Sequence, residues 1–236
     1  MTYSEYEQKE KARIDIVLKL MEQGVEFVDI RTAYIDDDVM IGKGTVIGPC
    51  VTLEKGTSVG ANSVIYQNSR IVASNIGDGV EIQSSVIIES KVGDGSKIGP
   101  FAYLRPGSTI GKGCKVGDFV EVKNSSIADG SKTAHLTYIG DSDVGRDVNI
   151  GCGVVFVNYD GTSKYRSEVG DGAFIGCNSN LVSPVKIGNG AYIAAGSTVT
   201  EDVPEDALCI ARERQKNIAG WAAEKGLYRK KSDLLY

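Results

Sequence analysis

The chain carries one histidine, His135, in 236 residues. A three-histidine metal centre therefore has no ligand set within one copy. Proline is as scarce, with 5 residues against 29 glycines, which excludes collagen-like and proline-rich spacer sequence. No apolar run approaches the ~18 residues that a membrane-spanning helix needs. The charged amino-terminus has no signal-peptide core. A net charge of −5 excludes a nucleic-acid surface that works by bulk basicity. The five cysteines, Cys50, Cys114, Cys152, Cys177 and Cys209, are odd in number and never in C-x-x-C spacing. They read as reduced, mostly buried thiols of a cytoplasmic protein with no zinc site. Neither membrane, nucleic acid nor metal is expected as a partner. With 42% hydrophobic and 24% charged residues, the chain is a folded one of ordinary composition.

What the sequence does have is a period. Stepping by six from Ile35 meets Ile41, Ile47, Leu53, Val59, Ile65 and Ile71. The register slips near Ile76 and resumes at Val92, Ile98, Leu104, Ile110, Val116 and Val122. It slips again through Ile127, Ile139, Val144 and Ile150, and closes with Val169, Ile175, Leu181, Ile187, Ile193 and Val199. Four places after the aliphatic stands a small or β-branched residue, as at Val39, Thr45, Val51, Thr57, Ser63 and Ser69. Six matches neither a helix nor a single alternating strand. It matches a hexapeptide parallel β-helix, in which three hexads close one coil and coils stack at roughly 4.8 Å. About nine coils over residues 35–199 give a rod roughly 40 Å long. The period does not give the hand. The expected fold is all-β, a left-handed parallel β-helix, the hand being assumed by resemblance to other hexapeptide solenoids.

Residues 1–34 read as a helix and lead-in, with Ile14, Val17, Leu18 and Met21 along one face and Gly24 as the stop. The helix is expected to cover the open end of the solenoid or to pack beside it. The hexads are broken at 157–168 by a polar insertion, expected to leave the rod as a binding loop. Residues 200–236 read as a turn, a short strand, a helix near Arg214–Lys225 and a basic tail at 229–231.

His135 is the single imidazole and the candidate general base. Lys123, then His135 with Tyr138, then Asn158 fall on successive layers of ~18 residues. Arg105 precedes Lys123 by one coil, Lys164 sits in the insertion, and Asn149 is near in sequence. Three cations around one imidazole describe a site for a phosphorylated substrate with a proton to lose.

The stretches PFAYLRPG (100–107), VGDFVEVKNSSI (116–127), HLTYIGDSDVG (135–145), VNIGCGVVFVNYDG (148–161) and GNGAYIAAGSTVTEDVP (188–204) carry a resemblance. The chain resembles the acetyltransferase half of the bacterial bifunctional glucosamine-1-phosphate acetyltransferase / N-acetylglucosamine-1-phosphate uridylyltransferase family. That resemblance implies acetyl-CoA as co-substrate and an amino-sugar phosphate, glucosamine 1-phosphate, as acceptor. It implies His135 as general base, with Glu121 orienting the imidazole. Arg105, Lys123, Tyr138 and Lys164 match the positions that hold the sugar phosphate, and Asn149 and Asn158 those that contact the sugar and acetyl group. Cys152, Cys177 and Ala195 match positions beside the acetyl-CoA arm, and Arg212 matches a contact to its phosphates. It further implies a homotrimer with sites shared between neighbours.

The chain departs from the family at Cys152 and Cys177, where Ala and Ser are usual, and at the apolar VVFV before NYDG. No nucleotide-binding Gly-rich loop opens a β-α unit, so the uridylyl transfer is not expected here. Two other readings stay open: acetyl transfer to a different amino sugar, and a non-catalytic solenoid that binds without reacting. A carbonic anhydrase on the same type of solenoid needs three histidines per metal, and a single His135 in each copy stands against it.

Overall fold

In a computed structural model, which describes residues 1–227, the hexads form a three-sided parallel β-helix. Strands of two or three residues stack into three sheets. Sheet A has eleven strands, from Glu26–Phe27 to Leu208–Cys209. Sheet B has ten, from Tyr34–Ile35 to Thr198–Val199, and sheet C nine, from Met40–Ile41 to Lys186–Ile187. The ladder thus reaches past the hexads at both ends. Each strand pairs with those one coil before and after. On sheet A, Ile47 meets Ile65, then Ile82, Ile98 and Val116, all buried. The inward aliphatics make one continuous core.

The small residue four places after each aliphatic explains its own chemistry. Thr45, Ser63, Ser96 and Ser131 are buried at the corners, where a larger side chain would not fit. Their hydroxyls bridge turns. The Thr45 hydroxyl donates to the Gly60 carbonyl (2.7 Å) and accepts from the Ser63 N–H (3.1 Å). Ser131 repeats this with Gly145 (2.7 Å) and Val148 (2.9 Å). Corner polar groups are thereby satisfied without water.

The slips in register are shortened corners. In a six-residue step the third residue after the aliphatic takes a left-handed conformation, as at Cys50 after Ile47 and Asn62 after Val59. In a five-residue step the second does so: Ala73 after Ile71, Ser84 after Ile82, Glu89 after Ile87, Asn124 after Val122 and Asp141 after Ile139. The core position is kept while the corner loses a residue.

Helix α1, Tyr3–Glu22, opens on a capping box between Thr2 and Glu5. It packs Val17 and Leu20 into the core beside Val25 and Ala33. The Arg13 guanidinium donates to the carbonyls of Ile30 (3.0 Å) and Ala33 (2.8 Å) and lies over the Tyr34 ring. The buried face differs from the expected one: Leu18 and Met21 are exposed. The helix follows the first coil with the Arg13–Val17–Leu20 stripe, whose i, i+4, i+7 spacing carries both the anchor and the core contacts. At the other end, the helix expected near Arg214–Lys225 is only the single turn α2, Trp221–Glu224. None of its residues is buried, so packing lends no stability to a longer helix. The basic run at 229–231 lies outside the described residues.

The thiols also depart from expectation. Only Cys114 is buried; Cys50 and Cys177 are exposed, and Cys152 and Cys209 lie between.

Thr133 takes an inward position between Val116 and Ile150. Its Oγ1 is the one buried side-chain polar atom without a partner among the described residues. Thr133→Val keeps the shape and removes the unpaired hydroxyl, so it is expected to stabilise the fold by about 1 kcal/mol. The urea midpoint should rise; an unchanged or lower midpoint contradicts the assignment.

Candidate active site

The corner between sheets A and B stacks a column of residues set by register alone. Lys115 pairs with Lys132, Lys132 with Asn149, Asn149 with Phe174, and Phe174 with Tyr192. Three residues beyond each of these lie Asp118, His135, Cys152, Cys177 and Ala195, one above the next. Backbone bonds tie the column: Gly153 N–H to the His135 carbonyl (2.9 Å), Asn178 N–H to that of Cys152 (2.7 Å) and Gly196 N–H to that of Cys177 (2.8 Å). Two glycines permit this spacing. A Cβ at Gly151 would meet Cys177 N at 2.7 Å, and one at Gly176 would meet Ala195 N at 2.5 Å. Arg212 closes the column, its Cδ 3.7 Å from where a Cβ on Gly196 would stand. Register thus brings five of the expected residues, His135, Cys152, Cys177, Ala195 and Arg212, onto one edge of the rod.

At His135 the corner is unusual. His135 (φ 63) and Leu136 (φ 59) are both left-handed, the one consecutive pair among the described non-glycine residues. Each such residue costs on the order of 1–2 kcal/mol, and such strain clusters at functional sites. It throws the imidazole outward, 62% exposed, with Nδ1 2.7 Å from Asp118 Oδ1. The hydrogen bond from His135 holds the Asp118 carboxyl below its ordinary range. An Nδ1–H donating to Asp118 leaves Nε2 as the basic nitrogen facing outward. The orienting carboxylate is therefore Asp118 and not Glu121, which accepts from Arg105 Nη1 at 2.8 Å. Sequence reading missed Asp118 although it precedes His135 by one 17-residue coil. His135, Asn149 and Cys152 share a shallow groove of about 250 Å³ with Lys115 and Lys132. The Cys152 N–H has no acceptor among the described residues.

The remaining residues gather on the outer face of sheet B, one strand away. Tyr103, Glu121, Tyr138 and Val155 are successive neighbours there. Asp141, buried, accepts from Lys123 Nζ (3.0 Å), from Asn124 Nδ2 (2.6 Å) and from Asn158 Nδ2. Burial alone would raise its carboxyl; the three donors outweigh it and hold Asp141 ionised, below the usual range. Its spacing of 17 residues from both Asn124 and Asn158 was the signal available in the sequence. Tyr138 and Asn158 converge over Gly140, where a Cβ would run into the Tyr138 hydroxyl and lie 2.8 Å from Asn158 Nδ2.

The insertion folds back as a tight loop. Asp160 Oδ1 accepts from the backbone of Ser163 and Thr162 (both 2.7 Å), which drives its carboxyl far down. Arg166 straps the loop to the rod: it forks onto Asp143 (2.5 and 2.6 Å) and donates to the carbonyls of Asn124 (2.8 Å) and Ser142 (3.2 Å). Nothing in the hexad spacing marks Arg166, because the insertion breaks the count. The strap delivers Lys164 to Lys123. The neighbouring Lys123 charge depresses the Lys164 ammonium, and Arg105 adds to it. Lys123 is held in its charged form: burial pulls it down and the bond to Asp141 overrides. Three cations thus converge, with one carboxylate on Arg105 and one on Lys123, and Lys164 faces a like charge. This arrangement favours an incoming dianion. A larger groove of about 700 Å³ runs along sheet C past Gly145, Gly170 and Gly188. It contains none of the expected residues.

Comparison with known proteins bears on the repeats and the fold. The family model described as bacterial transferase hexapeptide (six repeats) matches residues 32–67, 89–124 and 166–201. The chain belongs to the hexapeptide-repeat transferases. Its coils are the left-handed parallel β-helix of that family. It is 55% identical over 224 residues to the bifunctional protein GlmU of Clostridium beijerinckii, covering 95% of this chain and 49% of that protein. To the bifunctional protein GlmU of Clostridioides difficile it is 58% identical over 205 residues, covering 87% and 45%. The chain spans about half the length of the curated relatives it matches. Among solved structures, a UDP-N-acetylglucosamine acyltransferase is 20% identical, with a TM-score of 0.53 over 76% of this chain and 68% of that one. That likeness concerns the fold. No helix among the described residues of this hexapeptide-repeat transferase is long and apolar enough to cross a membrane.

Two outcomes follow from the site as built. His135 is the sole imidazole, so its ¹⁵N resonances are unambiguous. They should report the Nδ1–H tautomer in the wild type and a shift toward Nε2–H in Asp118→Ala; identical spectra would remove Asp118 from its role. The second outcome concerns pH. An anion between Lys123 and Lys164 offsets their repulsion and raises the depressed Lys164 ammonium. Binding of a sugar phosphate should therefore take up protons on the alkaline side, and affinity should fall as pH rises through the Lys164 titration. Calorimetry in buffers of different ionisation enthalpy measures the uptake; none in wild type, or equal uptake in Lys164→Met, contradicts the arrangement.

Proposed function

We propose that the chain transfers the acetyl group of acetyl-CoA to the amine of glucosamine 1-phosphate, giving N-acetylglucosamine 1-phosphate. The observation that carries this reading is the Asp118–His135 pair, set at the head of the Cys152–Cys177–Ala195–Arg212 column and one strand from the Arg105–Lys123–Lys164 cluster. An imidazole fixed through Nδ1 is a base at Nε2, and three cations next to it suit a substrate that carries both an amine and a phosphate.

In this reading Arg105, Lys123, Lys164 and the Tyr138 hydroxyl hold the phosphate, and Asn158 and Asn149 contact the sugar and the acetyl group. His135 Nε2 takes a proton from the amine as its nitrogen attacks the thioester carbonyl carbon. The oxyanion that forms accepts a hydrogen bond from the unengaged Cys152 N–H. As the tetrahedral adduct collapses, the C–S bond breaks and the imidazolium returns the proton to the departing sulfur. The pantetheine arm runs past Cys177 and Ala195 toward Arg212, which meets the phosphates of CoA. Glu121 acts on Arg105 and not on the imidazole. Acetyl-CoA as co-substrate and five free cysteines support a cytoplasmic setting for this reading.

The groove beside His135, about 250 Å³, is below the ~300–1,000 Å³ of typical small-molecule sites. A second copy supplies the missing wall in this reading, and flat-sided rods associate with three-fold symmetry into a homotrimer. His135→Ala is expected to fold and to lower kcat by roughly 10²–10⁴. Mixing it with Arg212→Ala after subunit exchange tests the sharing. Recovered acetyl transfer places the two residues of one site on different chains, and no recovery places them on one. A His135→Ala kcat within about threefold of wild type ends the base assignment.

A further inference from the structure

Two of the thiols stand together on the column. Register places Cys152 opposite Cys177 on adjacent turns: Asn149 meets Phe174, Ile150 meets Ile175, and the cysteines follow two residues on. The Asn178 N–H bonds to the Cys152 carbonyl at 2.7 Å. Neighbouring strands lie about 4.7–4.9 Å apart, inside the roughly 4.4–6.8 Å Cα window of a disulfide. Gly151, with no Cβ, lets the Cys177 turn approach the turn that carries Cys152 closely. A Cβ there would sit 2.9 Å from Cys177 Sγ, so the sulfur leans back over the turn that carries Cys152. Both thiols are free, and Cys177 is exposed.

The other three thiols lack such a neighbour. Cys114 is buried, its sulfur bonded to the Ala128 carbonyl at 3.2 Å. Cys209 pairs with Ile193 on the last strand of sheet A, and Cys50 sits near Thr32 at the first coils.

We infer that Cys152 and Cys177 form a dithiol site that a peroxide closes to a disulfide across two turns of the column, and that closure shuts the path of the acyl-CoA arm. The exposed Cys177 thiolate attacks one oxygen of hydrogen peroxide. The O–O bond breaks, hydroxide leaves and is protonated to water, and a sulfenic acid remains. The Cys152 thiolate then attacks that sulfur, the S–O bond breaks and a second water departs. Two thiols are oxidised by one electron each and the peroxide is reduced by two. The bridge crosses the notch at Gly151, beside the Cys152 N–H on which the thioester carbonyl depends. The disulfide itself needs only the geometry; the blocking step rests on the acyl-transfer reading.

The full chain treated with one equivalent of hydrogen peroxide is expected to lose two of its five free thiols. Peptide mass spectrometry should find the Cys152 and Cys177 peptides joined, and dithiothreitol should separate them. Acetyl-CoA binding by calorimetry and acetyl transfer should fall by about tenfold or more on oxidation and return on reduction. Cys152→Ser and Cys177→Ser are each compared with themselves before and after peroxide, and each should lose the reversible response. A cross-link between other cysteines, or oxidation of these two to sulfinic acids without a cross-link, overturns the dithiol site. A mapped disulfide with binding and turnover unchanged overturns the block. A reduced protein that binds no acetyl-CoA overturns the functional reading and the block with it, while the mass spectrum still decides the disulfide.

Discussion

Everything in this molecule depends on in-register parallel pairing between coils. Once Ile47 lies over Ile65 and Ile65 over Ile82, every other residue of a turn is also placed over its counterpart one turn away. Burial supplies the free energy at the inward positions, on the order of 1.5–3 kcal/mol for each large aliphatic. The hydroxyls at the corners satisfy the backbone there. The outward positions bear no such duty, so chemistry is written on the outside in columns and rows. A residue gains its partners by counting 17 or 18 places along the chain, not by local sequence.

Columns impose a difficulty that the site turns to use. Like residues one coil apart are forced together, as Lys115 and Lys132 are on sheet A, and like charges directly opposite are unfavourable. The rod answers with carboxylates from adjacent turns. Asp141 holds Lys123, Glu121 holds Arg105, and Glu81 holds Lys97 at 2.7 Å. Lys164 is different because it arrives from the insertion and not from a turn. Its loop is strapped by Arg166, and the Lys123 charge it faces outweighs the attraction of Asp141. The least compensated charge in the cluster therefore sits on the segment that is tied down most elaborately.

The solenoid and its rim of site residues were legible because both obey the period. Hexads named the inward aliphatics, and a spacing of one coil linked Arg105 to Lys123 and Lys123 to the layer of His135 and Tyr138. Legibility failed where the count changes. Five-residue steps move the left-handed corner from the third to the second place after the aliphatic. A reading in strict sixes loses the phase there, and with it the pairing of Asp118 with His135. The resemblance suggested Glu121 as the orienting group; geometry gives that carboxylate to Arg105. Arg166 was invisible because its partners, Asp143, Asn124 and Ser142, lie across the insertion. On α1, two stripes of apolar residues compete, and only docking through Arg13 decides between them. The burial of the thiols was misjudged because composition gives an average, while the corner column puts Cys152 and Cys177 outside.

The insertion leaves the rod after Val157 and returns at Ser167, yet Asp143 still meets Glu168 and Val144 still meets Val169, as though no residues intervened. The excursion is a closed parenthesis in the chain: it changes the count but not the phase of any coil. The corner between sheets B and C is thus a port. Segments of other length and composition, strapped by a fork like that of Arg166, are admissible at this corner without disturbing the core. In a rod whose scaffold is periodic, one exchangeable loop decides what Lys123 faces, free to diverge while the Asp118–His135 pair and the corner column stay fixed.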